Sequence, residues 1–295
     1  MKNTKKKKKL TKQGKIIFGL GGVVLMALLL LVGTILFGGN DKKENKPTPP
    51  ISGEVTPTHD SGNPLADKYN PIWEEYSDLN EDYIAYLEWE NDLLYNYGDD
   101  TTDPYPHLIV RSRIVDDKQG DVNIANSEYM RNDIAHDDRS FGQDFMDGDN
   151  AVDENYVPTD QNIIIYGHYV YPEKYGVDFL KFTPLHKLKD RSVYDTYDTF
   201  TLTFNHQQRT YQIAHVFNYE KSWFKDRQDS PVATNYSEQE LATYMEKIET
   251  TYNDFLDTGI EIGSDDNFVT LQTCVENDEN TLFFVVAKEI DRVNF

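Results

Sequence analysis

Six short runs of β-branched and aromatic residues, separated by polar turns, constrain the fold of this chain more than any other sequence feature. Such runs predict β-strands, and several short strands in one domain favour a barrel or a sandwich. A hydrophobic content of 38%, with 20 Tyr and 15 Phe among 295 residues, is enough for a buried core. The runs are HLIVRSRIV, QNIIIYGHYV, TFTLTFNH, RTYQIAHVFNY, NFVTLQTCV and TLFFVVAKEI. The sequence therefore predicts a globular, mainly β domain.

Two segments have helical rather than strand periodicity. Over residues 72–83, aromatic and aliphatic residues recur at helical spacing, which predicts one or two short helices at the start of the folded domain. Segment 237–259 places its apolar residues on one helical face, with Ser237 and Glu240 as a capping box and Gly259 as a stop. The sequence thus predicts a long amphipathic helix before the last two strands, packed on the core through its apolar face.

Residues 16–38 form 23 consecutive uncharged positions, enough for a helix to cross the hydrocarbon core of a membrane. Eight lysines precede this stretch, so the positive-inside rule places residues 1–15 in the cytoplasm and residues 39–295 outside the membrane. A cleaved signal peptide is the alternative, but its apolar stretch would be shorter and LFGGNDKK is a poor cleavage site. We expect a single-pass plasma-membrane anchor, an extended stalk over 39–66 and a folded domain over 67–295.

The chain after its basic start is strongly acidic. The net charge is −22, and subtracting the eight lysines before residue 16 leaves −30 on the remainder. Such a body repels nucleic acid and anionic lipid, so we expect no nucleic-acid partner. The acidic segment DFMDGDNAVDEN (144–155) does not fit a calcium loop, because Ala151 and Val152 stand where an acid and a glycine are required. We predict a solvated loop there, and no metal site.

The single cysteine, Cys274, follows FVTLQT directly, so we expect it at the end of a strand, facing a cleft. One cysteine excludes an intramolecular disulfide, and a small buried hydrophobe is the alternative reading. A catalytic thiol needs a base or an ion-pair partner, most often histidine. Among seven histidines, His168 has the matching setting, because it follows the apolar run NIIIY and Gly167. A purely structural role for His168 stays open at this point.

The motifs around these two residues resemble those of sortases. TLQTC at 270–274 is similar to the TLxTC signature of the family, and IIIYGHYV at 163–170 to its strand ending in the catalytic histidine. NSEYM at 126–130 resembles an N-x-x-Y-L stretch, and residues 186–204 resemble the segment that follows the histidine. The likeness extends over about 225 residues. The helix before the cysteine strand and the helices before the barrel are typical of class B sortases.

The resemblance implies an α+β fold with an eight-stranded barrel, and a cysteine transpeptidase. In the family, the Cys thiolate attacks the Thr carbonyl of a sorting motif on a secreted protein, and an amine of a peptidoglycan precursor or pilin resolves the acyl-enzyme. Carried over, Cys274 is the nucleophile, and His168 protonates the departing nitrogen and deprotonates the incoming amine. Asn126, Met130 and Gln272 align with positions that line the class B substrate groove. The resemblance implies no metal or organic cofactor.

One position departs from the family pattern. The third family residue is an arginine on the strand after the cysteine, in a pattern like R-x-V-V-V-A-K, and Leu282 stands there in LFFVVAK. Losing an oxyanion donor typically costs about 100- to 1000-fold in turnover. An arginine from elsewhere (Arg111, Arg113 or Arg227) supplies the charge, backbone N–H groups suffice, or the chain is a weak or idle sortase-like domain that binds sorting signals. A cysteine endopeptidase, in which water resolves the acyl-enzyme, is a further alternative.

Overall fold

A computed structural model of the chain contains one closed barrel of eight β-strands. It describes residues 62–89, 93, 105, 108–112, 129–137, 141–171, 180–220, 232–252, 254–276 and 278–295. The strands are β1 (Tyr83–Trp89), β2 (Leu108–Arg111), β3 (Asp144–Met146), β4 (Asn162–Tyr166), β5 (Thr199–Phe204), β6 (Gln207–Glu220), β7 (Phe268–Val275) and β8 (Asp278–Asn294). Their order around the barrel is β1-β2-β3-β4-β7-β8-β6-β5, and β1 pairs with β5 to close it. The predicted eight-stranded barrel is confirmed.

Two of the neighbouring strand pairs in the barrel are parallel, namely β2 with β3 and β4 with β7. The chain between β4 and β7 contains a 3₁₀ helix (Thr183–Lys189), α2 (Arg191–Tyr197), β5, β6 and α3 (Glu238–Thr250). Parallel strands need such a crossover connection. Because β4 and β7 run in the same direction, their carboxyl ends lie at the same end of the barrel.

Strand β7 divides its side chains between the barrel interior and the outer surface. Val269 and Leu271 belong to the main interior core, whereas Phe268 belongs to a second cluster on the outside, shared with α3. Successive residues of a strand point to opposite faces, so Cys274 is on the outer face with Phe268. The Cys274 side chain is exposed. The alternative of a small buried cysteine is therefore wrong.

The start of the domain differs from the prediction. Helix α1 (Pro64–Leu79) begins where the Asn63 side chain accepts hydrogen bonds from two backbone N–H groups of the first turn. The boundary predicted between 66 and 67 therefore falls inside a helix. Asn80 ends α1 in an extended conformation, and β1 begins at Tyr83. The helical interpretation of Tyr83 is wrong, because β1 forms by pairing with β2 and β5, which local periodicity does not encode.

Helix α3 confirms the predicted amphipathic helix before the cysteine strand. The Ser237 side chain accepts a hydrogen bond from the Glu240 N–H, and the Glu240 carboxylate accepts one from the Ser237 N–H at 2.8 Å, so the capping box is present. The buried residues of the helix are Leu241, Tyr244 and Ile248. They belong to the cluster on the outer face of β6, β7 and β8, so the apolar face of α3 packs on the barrel.

The predicted end of this helix is wrong. Helix α3 ends at Thr250, well before Gly259. Beyond the helix, Asp254 pairs with Phe217 of β6, and its carboxylate accepts a hydrogen bond from the His215 ring at 2.6 Å. The chain therefore returns to the sheet before it reaches the glycine. Gly259 has a φ of 70°, but it lies in the loop that leads to β7.

The prediction of a solvated loop over 144–155 is wrong at its start. All three residues of β3 are buried, and Asp144 has no exposed surface. Asn150 is also fully buried, and its side chain donates to the carbonyl of Asn162 in β4 at 2.8 Å. A strand of three residues is too short to show the alternation that identifies strands in a sequence.

The predicted cytoplasmic tail (1–15), membrane-spanning segment (16–38) and most of the stalk (39–66) lie outside the described residues. Within the residues that the structure does describe, no helix is both long enough and apolar enough to cross a membrane. The anchor therefore stays a prediction from the sequence.

Candidate active site

The parallel pairing of β4 and β7 brings the two predicted catalytic segments together. The register ends with Tyr166 opposite Gln272, and the N–H of Gly167 continues it by donating to the Gln272 carbonyl at 3.0 Å. His168 and Cys274 each follow two residues after that last pair. Neighbouring strands lie about 4.8 Å apart. The structure thus places the imidazole and the thiol on adjacent segments at one end of the barrel.

Gly167 is the position where the chain leaves β4, and no side chain fits there. An added Cβ would overlap the ring of Phe182 and the carboxylate of Asp144, both of which are fully buried. Directly after this glycine, the His168 carbonyl accepts a hydrogen bond from the Phe182 N–H at 3.1 Å. The glycine is therefore required by close packing, and it sets the path of the chain that carries His168.

Cys274 lies beside Leu282 on the outer face of the barrel. The two residues are direct partners in the antiparallel pair of β7 and β8, and Cβ atoms of such partners are about 4.5–5.5 Å apart. Leu282 is 8% exposed and belongs to the apolar cluster that α3 covers. The position of the family arginine is thus next to the thiol, and an apolar side chain fills it.

His168 is partly buried, and its Nε2 atom lies 2.8 Å from the carbonyl oxygen of Met130. A carbonyl oxygen only accepts, so Nε2 carries a hydrogen and Nδ1 is the nitrogen that binds or releases a proton. Burial lowers the pKa of this ring; the bond to Met130 opposes that change, and the positive charges of Lys181 and Arg131 add to it. The ring is therefore mainly neutral at pH 7.

Two of the residues predicted to contact substrate border this end of the barrel. Met130 is 42% exposed and holds His168 through its carbonyl. Gln272 is partly buried and shares the outer face of β7 with Cys274. The third, Asn126, lies outside the described residues and stays a prediction.

Of the three arginines proposed to replace the family arginine, the structure describes Arg111, and it does not bring that residue to the thiol. The Arg111 guanidinium donates to the Asn150 carbonyl at 3.3 Å. Asn150 holds the first residues of β4, so Arg111 lies toward the opposite end of that strand from His168. Arg113 and Arg227 are outside the described residues. Arg131, which the sequence did not single out, is exposed and directly follows Met130.

His186 is a second histidine at this site, and its sequence context did not single it out. It lies in the 3₁₀ helix, and its Nε2 is 2.9 Å from the carbonyl oxygen of Cys274. Its ring stacks on Phe283 at 4.2 Å between centroids and meets Tyr169 edge-on at 4.8 Å. His186 and Cys274 are 88 residues apart in the chain, so no local pattern predicts this contact.

No protein-family model matches this chain, and no curated protein sequence matches it. Solved structures do match it. A Cys-to-Ser mutant form of Clostridium perfringens sortase B is 21% identical, with a TM-score of 0.56 over 75% of this chain and 88% of that chain. A Staphylococcus aureus sortase B–substrate complex is 18% identical, with a TM-score of 0.57 over 77% and 90%. A sortase B structure complexed with triglycine is 18% identical, with a TM-score of 0.57 over 77% and 91%.

These matches agree in backbone although about four positions in five differ in sequence. Each covers about three quarters of this chain and about nine tenths of the matched chain. The closed barrel, the helix before the cysteine strand and the matched structures all support one conclusion. This chain has the fold of the class B sortases.

Proposed function

We propose that this chain is a membrane-anchored cysteine transpeptidase of the sortase type. It cleaves a sorting motif of a secreted protein through a thioester on Cys274 and transfers the acyl group to a cell-wall or pilin amine. The observation that carries this proposal is an exposed thiol at the end of β7, adjacent to the His168 segment that leaves the parallel strand β4. A thiol beside an imidazole is suited to nucleophilic attack.

In the first half of the reaction, Nδ1 of neutral His168 takes the proton of the Cys274 thiol, and the thiolate formed in this way attacks the carbonyl carbon of the scissile peptide bond. Nδ1–H of the His168 imidazolium then donates its proton to the departing nitrogen as the C–N bond breaks, which leaves a thioester and a free amine. The proton moves at Nδ1 because the Nε2 hydrogen is held by the Met130 carbonyl. The lowered pKa of the His168 ring makes its imidazolium a readier donor than an ordinary histidine.

In the second half, an amine attacks the thioester carbonyl. Nδ1 of neutral His168 takes the proton that the amine loses, and the C–S bond breaks to release the Cys274 thiolate. Among the structural relatives, one sortase B is in complex with a substrate and another with triglycine, which carries a free amino group. These complexes support a peptide and an amine as the two partners of the reaction.

Arg131 is our candidate for the charge that Leu282 lacks. Its positive charge lowers the pKa of the His168 ring, and its side chain is exposed directly after Met130. Lys181 is the other cation that lowers this pKa, but its side chain is fully buried and is therefore less able to move toward a bound substrate. An exposed guanidinium can turn toward the oxyanion once a peptide is bound.

A catalytically idle domain that binds sorting signals is the second candidate function. Leu282 beside the thiol favours it, because a buried leucine offers no hydrogen bond to a developing oxyanion. Such a domain would bind a sorting peptide without forming a thioester, so the two candidates differ in a measurable way.

Mass spectrometry of the full-length chain in detergent micelles tests the proposal. We expect a thioester adduct with a peptide of the NPxTx or LPxTG type, no adduct for Cys274→Ala, and an unchanged adduct for the control His206→Asn in the β5–β6 turn. An added amine should convert the adduct into a ligated peptide, whereas an endopeptidase would release only the hydrolysed acid. Peptide binding without any adduct in the wild-type chain would favour the idle domain.

A further inference from the structure

His186 contacts both of the segments that the proposed reaction brings together. Its Nε2 lies 2.9 Å from the carbonyl oxygen of Cys274, and its ring meets that of Tyr169, the residue after His168, at 4.8 Å. A carbonyl oxygen only accepts, so the histidine donates this hydrogen bond. One side chain from the 3₁₀ helix thus joins the end of β7 to the chain that leaves β4.

The β7–β8 ladder becomes irregular at this carbonyl. The register of the two strands shifts between Cys274 and Val275, so regular pairing no longer fixes the chain beyond the cysteine. The hydrogen bond from His186 meets the backbone where that shift begins. The hydrogen bond therefore holds the backbone of Cys274 in place where the regular strand pairing ends.

Aromatic packing fixes the orientation of the His186 ring. The ring stacks on Phe283, whose centroid is 4.2 Å away at an interplanar angle of 24°, and Phe283 pairs with Thr273, the residue before the nucleophile. On the other side, the Tyr169 hydroxyl donates to the Glu276 carboxylate at 3.1 Å. Thr273 and Glu276, which lie before and after Cys274, thus each contact an aromatic residue that packs against the His186 ring.

The charge state of His186 suits a donor rather than an acid or base. Burial lowers the pKa of His186 to about 4, the charge of Lys189 contributes in the same direction, and the Cys274 carbonyl and Glu276 oppose the change. The ring is therefore neutral at pH 7, with its hydrogen on Nε2. It holds the Cys274 backbone without placing a second positive charge beside the thiol.

We infer that His186 is a positioning residue for Cys274, holding the nucleophile's carbonyl through Nε2–H and linking it through Tyr169 to the segment of His168. The inference rests on the proposed transpeptidase function. It assigns to His186 an effect on the rate of acyl transfer rather than on substrate binding, because the hydrogen bond fixes the attacking group and not the peptide. A misplacement of about 1 Å at a reacting group costs on the order of 100-fold in rate.

Two variants of the same residue separate the hydrogen bond from the ring. His186→Phe keeps an aromatic ring against Phe283 and loses the donor, whereas His186→Gln loses the ring and keeps an N–H donor. In the full-length chain we expect His186→Phe to lower kcat for acyl transfer about 10- to 100-fold, with KM within about 3-fold of wild type. His186→Gln should recover most of that loss, and the control His206→Asn should behave as wild type.

A second measurement keeps this inference distinct from the proposed function. The rate of Cys274 alkylation by iodoacetamide at pH 7 needs no substrate, and we expect it to fall about 5- to 10-fold in His186→Phe and to recover in His186→Gln, because a displaced thiol loses its alignment with His168. Failure of every peptide to react, with this alkylation pattern intact, would refute the transpeptidase and leave the positioning role standing.

Three results would overturn the inference. In the first, His186→Phe has the kcat and alkylation rate of wild type. In the second, His186→Gln is as slow as His186→Phe, so that an N–H donor at this position does not restore the rate. In the third, the loss is in KM alone. Thermal unfolding of each variant shows whether it is folded. If the His186 variants do not fold, Tyr169→Phe takes their place in the kcat and alkylation measurements, because it keeps the ring against His186 and removes the hydrogen bond to Glu276.

Discussion

At the scale of single residues, Gly167 determines how closely the chain that carries His168 approaches the barrel. A Cβ at this position would overlap Phe182 and the carboxylate of Asp144, neither of which has room to move because both are fully buried. We expect Gly167→Ala to lower the free energy of unfolding by about 1–3 kcal/mol, the usual range for overpacking. Urea denaturation measures this change.

Gly263→Ala is the matched control for that variant. The Cβ of an alanine at 263 would lie 3.5 Å from the nearest atom, an Asp266 carboxylate oxygen, which is an ordinary contact. We expect a change within about 0.5 kcal/mol. Equal unfolding free energies for the two variants would show that the close packing at Gly167 does not constrain the fold.

The two histidines at the site give stability a defined pH dependence. Burial lowers the pKa of His168 and brings that of His186 from 6.5 to about 4. Between the two values for His186, the unfolded chain binds more protons than the folded chain, so the free energy of unfolding falls as the pH falls from 6.5 to 4. His186→Gln removes this contribution. We expect wild type to lose roughly 1 kcal/mol more than the variant between pH 7 and 4.5.

Urea denaturation at several pH values measures that difference. Carboxylates titrate in the same range in both proteins, so only the difference between wild type and His186→Gln reports on the ring. His206→Asn, at an exposed histidine, should follow wild type. Parallel stability curves for wild type and His186→Gln would contradict a lowered pKa at residue 186.

At this same scale, the sequence pointed to two residues of the candidate site and not to a third. Cys274 and His168 each follow an apolar strand, and this local feature pointed to both together with the sortase-like motifs around them. His186 has no such feature, because its contact with Cys274 depends on how the β4–β7 crossover folds back. The sequence also offered Arg111 as a replacement for the family arginine, but its guanidinium donates to the Asn150 carbonyl instead.

At the scale of helices and strands, α3 depends on its amino-terminal capping box. The Ser237 side chain accepts from the Glu240 N–H and so satisfies one of the free donors of the first turn. We expect Ser237→Ala to lower the free energy of unfolding by about 1 kcal/mol. Urea denaturation tests this against Ser264→Ala, an exposed serine in the loop before β7, which should change stability by less than about 0.5 kcal/mol. A silent Ser237→Ala would mean that tertiary packing alone holds α3.

Elements with a clear local pattern were predictable, and two strands, β1 and β3, were not. The capping box and apolar stripe identified α3, and β-branched runs identified β4 through β8. Strand β1 was not predicted because Tyr83 also continues the apolar spacing of α1, and only the pairing with β2 and β5 makes this segment a strand rather than a helix. Strand β3 was not predicted because three residues are too few to show the alternation of a strand.

At the scale of the whole molecule, the net charge bears on which partners the protein attracts. The chain after residue 15 carries −30, and the eight lysines before it belong to the predicted cytoplasmic tail. A field of one sign raises the local concentration of oppositely charged partners and their rate of association. The strand pattern alone predicted a barrel or a sandwich, and the resemblance to sortases predicted the eight-stranded barrel, because the closing pair of β1 and β5 is set by tertiary packing.

Two sorting peptides with the same motif, one flanked by lysines and one by glutamates, test whether this field steers substrates. On the proposed function, we expect the lysine-flanked peptide to have a kcat/KM about 10-fold higher at low salt, because the acidic body attracts it. The gap should shrink toward 2-fold at about 0.5 M salt, where the screening length falls to a few ångströms. A gap that salt does not change would instead place the preference in direct contacts between the flanking residues and the groove. Equal values at every salt concentration would show that the net charge of the body does not reach the site at all.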